Sequence, residues 1–469
     1  MLGIAGIFVS LALLIVLAQR GWNVIFIAPL CATVAVLCNW GDLPVMASYT
    51  QLFMPAMGNY VATYFPLFML GAVFGTLMEA SGSAHAIASR IVGWVGRDRA
   101  ILAVVSACGI LTYGGVSLFV VAFSVYPIAA SLFREANLPK RLIPAAIGLG
   151  SFTFTMVALP GTPAIQNAIP IPFFGTTIYA APGMGIVASL FMFGSGMLWL
   201  SRRAARARRA GEGYGDATDQ SVAVAVAVAV PATREDLPPF VVALLPLLVV
   251  IVLNFVLSKL VIPSLDHTQL DTDKWKHLDL KKVLAIWAII GAMASAIAVL
   301  ILANRSRIAD LRDAIGKGTL GALLPMANTA SEVGYGAVIA ALAAFVVVRE
   351  ALKAVASDPV ISLWLVVTAL AAMTGSASGG MSLALGAMGE SYARAAQAAH
   401  INPEIMHRIA SMGSAAMEIL PHNGAVITLL SICGLTHKQS YFDLFIVGSL
   451  TAFVASLVVL ALYLTVGVF

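Results

Sequence analysis

Four ionisable side chains stand where this chain is otherwise apolar: Glu332, Glu390, Glu418 and His422. An acid at membrane depth is costly, and by default it is a candidate for proton relay or coupling. Glu418, His422 and Glu332 are therefore the candidate proton-coupling residues. Glu418 and His422 are four apart and share a face if a helix runs through both, although Pro421 stands between them. Glu390 has Arg394 at i+4 and reads equally well as a surface pair.

A second kind of chemistry surrounds these acids. Four segments interrupt apolar runs: "GGVS" at 114–117, "LPGTPAIQNAIPIP" at 159–172, "TGSASGGMS" at 374–382 and "LPHNG" at 420–424. Unpaired backbone groups cannot face lipid, so such breaks must line an enclosed or watery cavity. Freed N–H groups and half-helix N-termini there favour an anion. The candidate substrate-binding residues are Gly114, Gly115, Ser117, Gly161, Thr162, Gln166, Asn167, Ser376, Ser378, Gly379, Gly380, Ser382, His422 and Asn423. Small residues also serve close helix packing. That explanation fits single serines better than the Pro-Gly-Thr-Pro and Pro-His-Asn-Gly clusters, which break a helix outright. Residues 142–200 contain no ionisable side chain except Tyr179, and no Arg or Lys reads as secure at membrane depth. Dipoles alone then favour a monoanion, unless sodium ions supply the missing charge.

The elements that must position these residues follow from composition. Of 469 residues 60% are hydrophobic and only 10% charged, against roughly 25% charged in soluble domains. Apolar runs long enough to cross a core of roughly 30 Å recur along the chain. The expected fold is an all-α polytopic membrane protein. The segment 2–18 lacks a basic n-region and a cleavage site, and reads as a retained helix rather than a signal peptide. The net charge of +5 reflects basic loops, not a nucleic-acid surface. The four cysteines lie in apolar segments with no CxxC spacing, which argues for neither disulfide nor metal. No cofactor is implied, and an isolated Glu and His make a membrane enzyme the weakest reading.

Candidate spans in the first half are 2–18, 24–38, 61–78, 101–133, 142–171 and 178–200. The basic cluster "SRRAARARR" at 201–209 belongs in the cytoplasm by the positive-inside rule. Arg20, Arg97, Arg99, Arg134, Lys140 and Arg141 fall on that side only if 101–133 enters and leaves by the same face. A re-entrant hairpin with its tip near Gly114 and Gly115 does so. Residues 202–237, with "SVAVAVAVAV", read as a cytoplasmic linker. The second half runs 240–261, 283–303, 320–348, 360–396, 409–433 and 442–466. Both termini then fall outside, in the periplasm. The loop 263–282 falls outside too, where its lysines fit the rule poorly and its four aspartates offset them.

Four features recur in order, at offsets near 260 residues. Pro66 with Gly71, Gly114-Gly115-x-Ser117-Leu118, Pro139 and Leu159-Pro160 are echoed by Pro325 with Gly334, Gly379-Gly380-x-Ser382-Leu383, Pro403 and Leu420-Pro421. Charge parity makes the copies opposite in orientation. The expectation is two inverted-topology repeats, 1–201 and 238–469, each with a re-entrant hairpin and a broken helix, and about ten spanning helices in all. That arrangement is a signature of secondary transporters.

The stretches "YFPLFMLGAVFGTLMEASG" (64–82), "AILAVVSACGILTYGGVSLFVVAFSVYPIA" (100–129) and "TMVALPGTPAIQNAIP" (155–170) resemble the gluconate:proton symporter family (GntP type), within the wider ion transporter superfamily. The first half is covered well and the second more loosely. The resemblance implies uptake of a small organic acid with a proton, a carboxylate held at the hairpin tips and breaks, and a homodimer in the bacterial inner membrane. "PGTPAIQN" departs from the proline- and histidine-rich form of true gluconate carriers. A short hydroxy acid such as 3-hydroxybutyrate or lactate fits as well as gluconate. Sodium-coupled di- or tricarboxylate transport is the alternative.

Overall fold

The structure, a computed structural model, describes residues 2–20, 22–96, 99–116, 118–215, 237–265, 270, 272, 280–347, 357–421 and 423–467. Two candidate site residues, Ser117 and His422, lie outside that set. Among the described residues every regular element is helical.

Helices α1 (Leu2–Gln19) and α2 (Val24–Cys38) form an antiparallel pair, α2 starting where the Asn23 side chain accepts the Ile25 N–H. Next comes α3 (Val45–Ala80), 36 residues and so about 54 Å long. It opens through a π turn at Ser48–Phe53 and carries Pro66 within it. It is longer at both ends than the expected 61–78. The amphipathic α4 (Ser83–Val95) lies at its foot.

Helix α5 (Ala100–Tyr113) has 14 residues, about 21 Å, too short to cross the hydrocarbon core. It turns at Gly114 and Gly115 into α6 (Leu118–Glu135). Gly115 has φ +91° and donates its N–H to Thr112 O, a left-handed turn that only glycine enters cheaply. A β-carbon on Gly114 would collide with Leu247, so the tip also needs glycine for packing.

Helix α7 (Ile143–Ser151) stops after nine residues. The chain continues through helical turns at Phe154–Val157, Ile165–Ala168 and Ile171–Phe174, with loops between. Then α8 (Pro182–Arg209) runs straight through the basic cluster and past residue 201, where the first unit was expected to end. Arginine and alanine are good helix formers, and cations suit a helix C-terminus.

The second half opens with α9 (Phe240–Ser264) and α10 (Leu280–Asn304), which pack together. Helix α11 (Leu311–Ala341) starts with Asp310 capping the Asp313 N–H and lies along α3. Helices α12 (Pro359–Thr374) and α13 (Ala377–Ala398) form a pair joined at Gly375 and Ser376. Helix α14 (Pro403–Ala415) breaks at 416–423, α15 (Gly424–Ile432) follows, and α16 (His437–Val466) closes the chain. Helices α9 and α16 also contain π turns, at Leu257–Val261 and Ile446–Leu450.

In chain order the first half holds the long α3, the amphipathic α4, the turned pair α5 and α6, the broken α7 and the long α8. The second half from α11 on holds a long helix, the turned pair α12 and α13, the broken α14 and α15, and α16. Among the described residues, α3, α8, α9, α10 and α16 are long and apolar enough to cross a membrane, with shorter apolar helices beside them. The protein is a multi-pass helical membrane protein. The two halves are pinned together at one end by Asp443 of α16, which is 2% exposed. Arg141 NH1 and Arg203 Nε donate to its two oxygens at 2.8 and 2.7 Å, Trp199 Nε1 adds a bond at 3.0 Å, and Arg141 also pairs with Glu212.

Candidate functional site

The start of α13 is the best-defined feature of the second half. Ser376 caps it, accepting the Gly379 N–H at 3.1 Å, and the Ser378 hydroxyl stands 3.4 Å from that of Ser376. The turn is set four residues before the place the echo of Gly114-Gly115 implied. Gly375, with φ +65°, takes the left-handed position, while Gly379 and Gly380 lie in the first turn of the helix. Their lack of side chains serves close approach instead. A β-carbon on Gly380 would strike the Ala371 backbone of α12, and Glu332 Oε2 fills the space a β-carbon on Gly379 would need.

The break at 416–423 wraps this helix start. Asn423 donates from Nδ2 to Gly375 O at 2.7 Å, while its Oδ1 accepts the Ala425 and Val426 N–H groups and so caps α15. Side chains of α16 take up the backbone groups the break frees, as buried N–H and C=O groups require. Ile419 N–H donates to Ser449 Oγ, Tyr441 Oη donates to Ile419 O, and His437 Nε2 meets Pro421 O. The Glu418 carboxyl faces the Ala377 N–H at the N-terminus of α13. Glu418 is 7% exposed and its Oε2 has no hydrogen-bond partner. The chain is not helical from 416 to 421, so the helix face that Glu418 and His422 were expected to share does not exist.

The first-half break is built differently. Gly161 (φ +90°) donates its N–H to Ile178 O at 3.0 Å and packs on the Tyr179 ring. Tyr113, at the end of α5, donates to Pro160 O at 2.8 Å, and Gly115 packs on Pro163, so hairpin tip and break touch. Thr162 is fully buried with its Oγ1 unpartnered, and Gln166, four residues on, is also buried. Asn167 is saturated: Nδ2 donates to Thr162 O and Ile178 O, and Oδ1 accepts from Arg408 and His407. It holds the loop rather than presenting a free amide.

Those two partners are residues the sequence reading missed. It placed no Arg at membrane depth and began the span at 409, yet His407 and Arg408 are fully buried on α14. With the carboxylate of Glu404, one turn earlier on α14, in electrostatic reach, Arg408 spends its donors on amide oxygens. Its NH1 donates to Val157 O and Asn167 Oδ1, and its Nε and NH2 both donate to Ala180 O, at 2.6 to 3.1 Å. His407 bonds Asn167 Oδ1 through Nε2 and the Thr176 hydroxyl through Nδ1, at 2.6 Å. Since the amide oxygen can only accept, Nε2 carries the proton. The available signal was Asn402-Pro403-Glu404, a helix-start pattern in which Asn402 caps the Glu404 N–H. It sets His407 and Arg408 more than a turn inside the helix.

The structure therefore gathers Ser376, Ser378, Gly379, Gly380, Asn423 and Glu418 around one helix start, with Glu332 and Ser382 on its flank. Gly114, Gly115, Gly161, Thr162 and Asn167 form a second group, tied to α14 by Arg408. Glu390 is exposed and 4.0 Å from Arg394, so it is the surface pair and not a buried acid.

No protein-family model matches the chain. The chain is 44% identical over 467 residues to a Bacillus subtilis (strain 168) protein named "Uncharacterized transporter YxjC", covering 98% of each. It is 33% identical over 184 residues, 39% of each chain, to an "Uncharacterized transporter" of Haemophilus influenzae. Among solved structures, the YdaH transporter of Alcanivorax borkumensis, described as having an unusual topology, shares the fold with a TM-score of 0.56. Identity is 17% and 88% of each chain is covered.

Proposed function

The chain belongs to the same transporter family as YxjC, and we propose that it is a proton-coupled symporter taking up a small organic monocarboxylate by alternating access. The observation that carries this reading is the Glu418 carboxyl set against the first N–H of α13. A helix N-terminus is a seat for one anion. Ionised, Glu418 fills that seat itself; protonated, it gives up its claim, and a substrate carboxylate takes its place. Proton and substrate then bind together, which is the linkage a symporter needs.

On this reading the two halves, expected as 1–201 and 238–469, are inverted repeats, with α8 carrying the first on to Arg209 and the rest of 202–237 joining them as a cytoplasmic linker. The protein is a GntP-type carrier of a sugar acid such as gluconate, or of 3-hydroxybutyrate or lactate. It works as a homodimer in the bacterial inner membrane with both termini periplasmic. A sodium-coupled di- or tricarboxylate carrier needs further cations for the extra charge. Arg408 is buried, but four of its N–H bonds go to Val157, Asn167 and Ala180.

The test is uptake of labelled gluconate, 3-hydroxybutyrate and lactate into proteoliposomes under an imposed proton gradient. Accumulation of one of them, collapsed by a protonophore at constant sodium, supports the reading. Accumulation that follows sodium and ignores the protonophore overturns the proton. Transport of none of the three overturns the substrate class.

A further inference from the structure

Across α13 from Glu418 stands a second buried acid. Glu332, on α11, is 7% exposed and its Oε2 has no hydrogen-bond partner. Two further buried oxygens nearby are also unpartnered: Tyr60 Oη on α3 and Ser382 Oγ on α13. Tyr60 lies close enough to interact with both Ser382 and Glu332. Asn328, one turn before Glu332 on the same face of α11, has an unpartnered Oδ1 as well. Native interiors leave few such atoms, and several converging from three helices ask for a ligand.

The charge balance says which kind. The helices around Glu332 carry no base at this depth. Residues 45–80 of α3, 318–341 of α11, 24–38 of α2 and 377–389 of α13 contain no Lys, Arg or His. Besides Glu332 itself, the titratable groups on them are Tyr49 near the start of α3, Tyr60 and Tyr64, Tyr335, Cys31 and Cys38, and Glu79 far down α3. Tyr64 is bonded to Ile169 O and Tyr335 to Ser10. An unpaired buried carboxylate is strongly disfavoured, so Glu332 requires a cation. Steric fit selects it, because the carboxyl already fills the β-carbon space of Gly379 and a proton needs no further volume.

We infer that Glu332, with the Tyr60 and Ser382 hydroxyls, is a proton-binding site distinct from Glu418, placed at the contact between α11 and the turned pair. The inference rests on the carrier reading only for its use in transport; the site itself is testable without substrate. The proton sits on one Glu332 oxygen and is donated toward the hydroxyl oxygens. Loss of that proton breaks the α11–α13 contact, because the charge it leaves has no partner.

The experiment is the melting temperature of the purified full-length protein across acidic to alkaline pH, for wild type, Glu332→Gln, Ser382→Ala and Glu418→Gln. A proton held in the folded protein and released on unfolding makes stability fall as pH rises. Wild type is expected to lose stability toward alkaline pH, and Glu332→Gln to lose about half of that slope, the rest belonging to Glu418. Ser382→Ala, which keeps the acid, is expected to move the pH at which the fall occurs. A Glu332→Gln profile parallel to wild type overturns the site. If Glu332→Gln does not fold, an unmoved Ser382→Ala profile overturns it. Replacing choline chloride by sodium chloride is expected to change nothing. Sodium-specific stabilisation at alkaline pH that Ser382→Ala abolishes overturns the proton in favour of sodium. Failure of uptake in the preceding test leaves each of these outcomes readable.

Discussion

Arg408 of α14 and Asn167 of the first-half break are joined by a hydrogen bond of 3.1 Å between NH1 and Oδ1, fully buried, over a sequence distance of 241 residues. The same guanidinium holds Val157 O and Ala180 O, on the two sides of the first break. One side chain of the second half thus fixes the shape of the loop in the first.

Replacing Arg408 by Met should leave Ala180 O without a donor and leave Asn167 Oδ1 and Val157 O with only His407 and Ser411. The expected loss is about 3–5 kcal/mol, as for breaking a buried charged network. Arg408→Lys should recover only part of it, because a point charge cannot span the three acceptors. Thermal unfolding of the purified variants measures both, and a Lys variant as stable as wild type would contradict the bridging role.

Gly379→Ala places a methyl where Glu332 Oε2 lies and should cost about 1–3 kcal/mol through overpacking. Gly424→Ala has open space and serves as the control, with a change within about 0.5 kcal/mol. Comparable losses in the two variants would remove the steric argument for Gly379.

Thr162→Val keeps the shape and deletes a buried hydroxyl without a partner. Stability should hold or rise, since an unsatisfied buried polar group is removed. Substrate affinity should fall about tenfold, the equivalent of one lost hydrogen bond of about 1.4 kcal/mol. Binding measured by thermal shift with gluconate or 3-hydroxybutyrate separates the two effects. Unchanged affinity would mean that the first break does not touch the ligand.

Glu418→Gln should abolish accumulation under a proton gradient while leaving exchange of labelled for unlabelled substrate intact. The neutral amide can neither fill the anion seat as a charge nor carry the proton. Uptake in proteoliposomes, with and without internal substrate, measures both activities, and retained accumulation would take Glu418 out of the coupling role.

Tags on the two termini should both be reached by a membrane-impermeant reagent in intact cells. A terminus shielded until lysis would contradict the re-entry of α5 and α6 from one face.

What the sequence disclosed depended on how local the cause was. The turn at Gly114-Gly115 could be placed because its left-handed backbone demands glycine. The second turn was displaced because Gly379 and Gly380 are glycines for another reason, close approach to Glu332 and to Ala371. A glycine pair does not say which of these roles it fills. The same limit applies to Asn167, whose amide looked available beside two prolines. Its Nδ2 partners are local, but those of its Oδ1 come from a helix 240 residues away in the chain, a fact of tertiary packing. Arg408 was missed because a charged pair after Asn-Pro resembles a loop, although Asn402-Pro403-Glu404 is itself a helix start. The burial of Glu418 and Glu332 was legible because an acid in an apolar run is anomalous on sequence alone.

The π turns in α3, α9 and α16 have a consequence for how such a chain tolerates insertion and deletion. Each uses about one residue more per turn than the helix around it. Loss of one residue at 48–53, 257–261 or 446–450 would convert the π turn to α and leave the helix beyond it in register. The same deletion elsewhere in these helices would rotate everything downstream by about 100° and turn its packed face toward lipid. These three turns are therefore the positions within the long helices where the length of the chain is free to drift while its packing stays fixed.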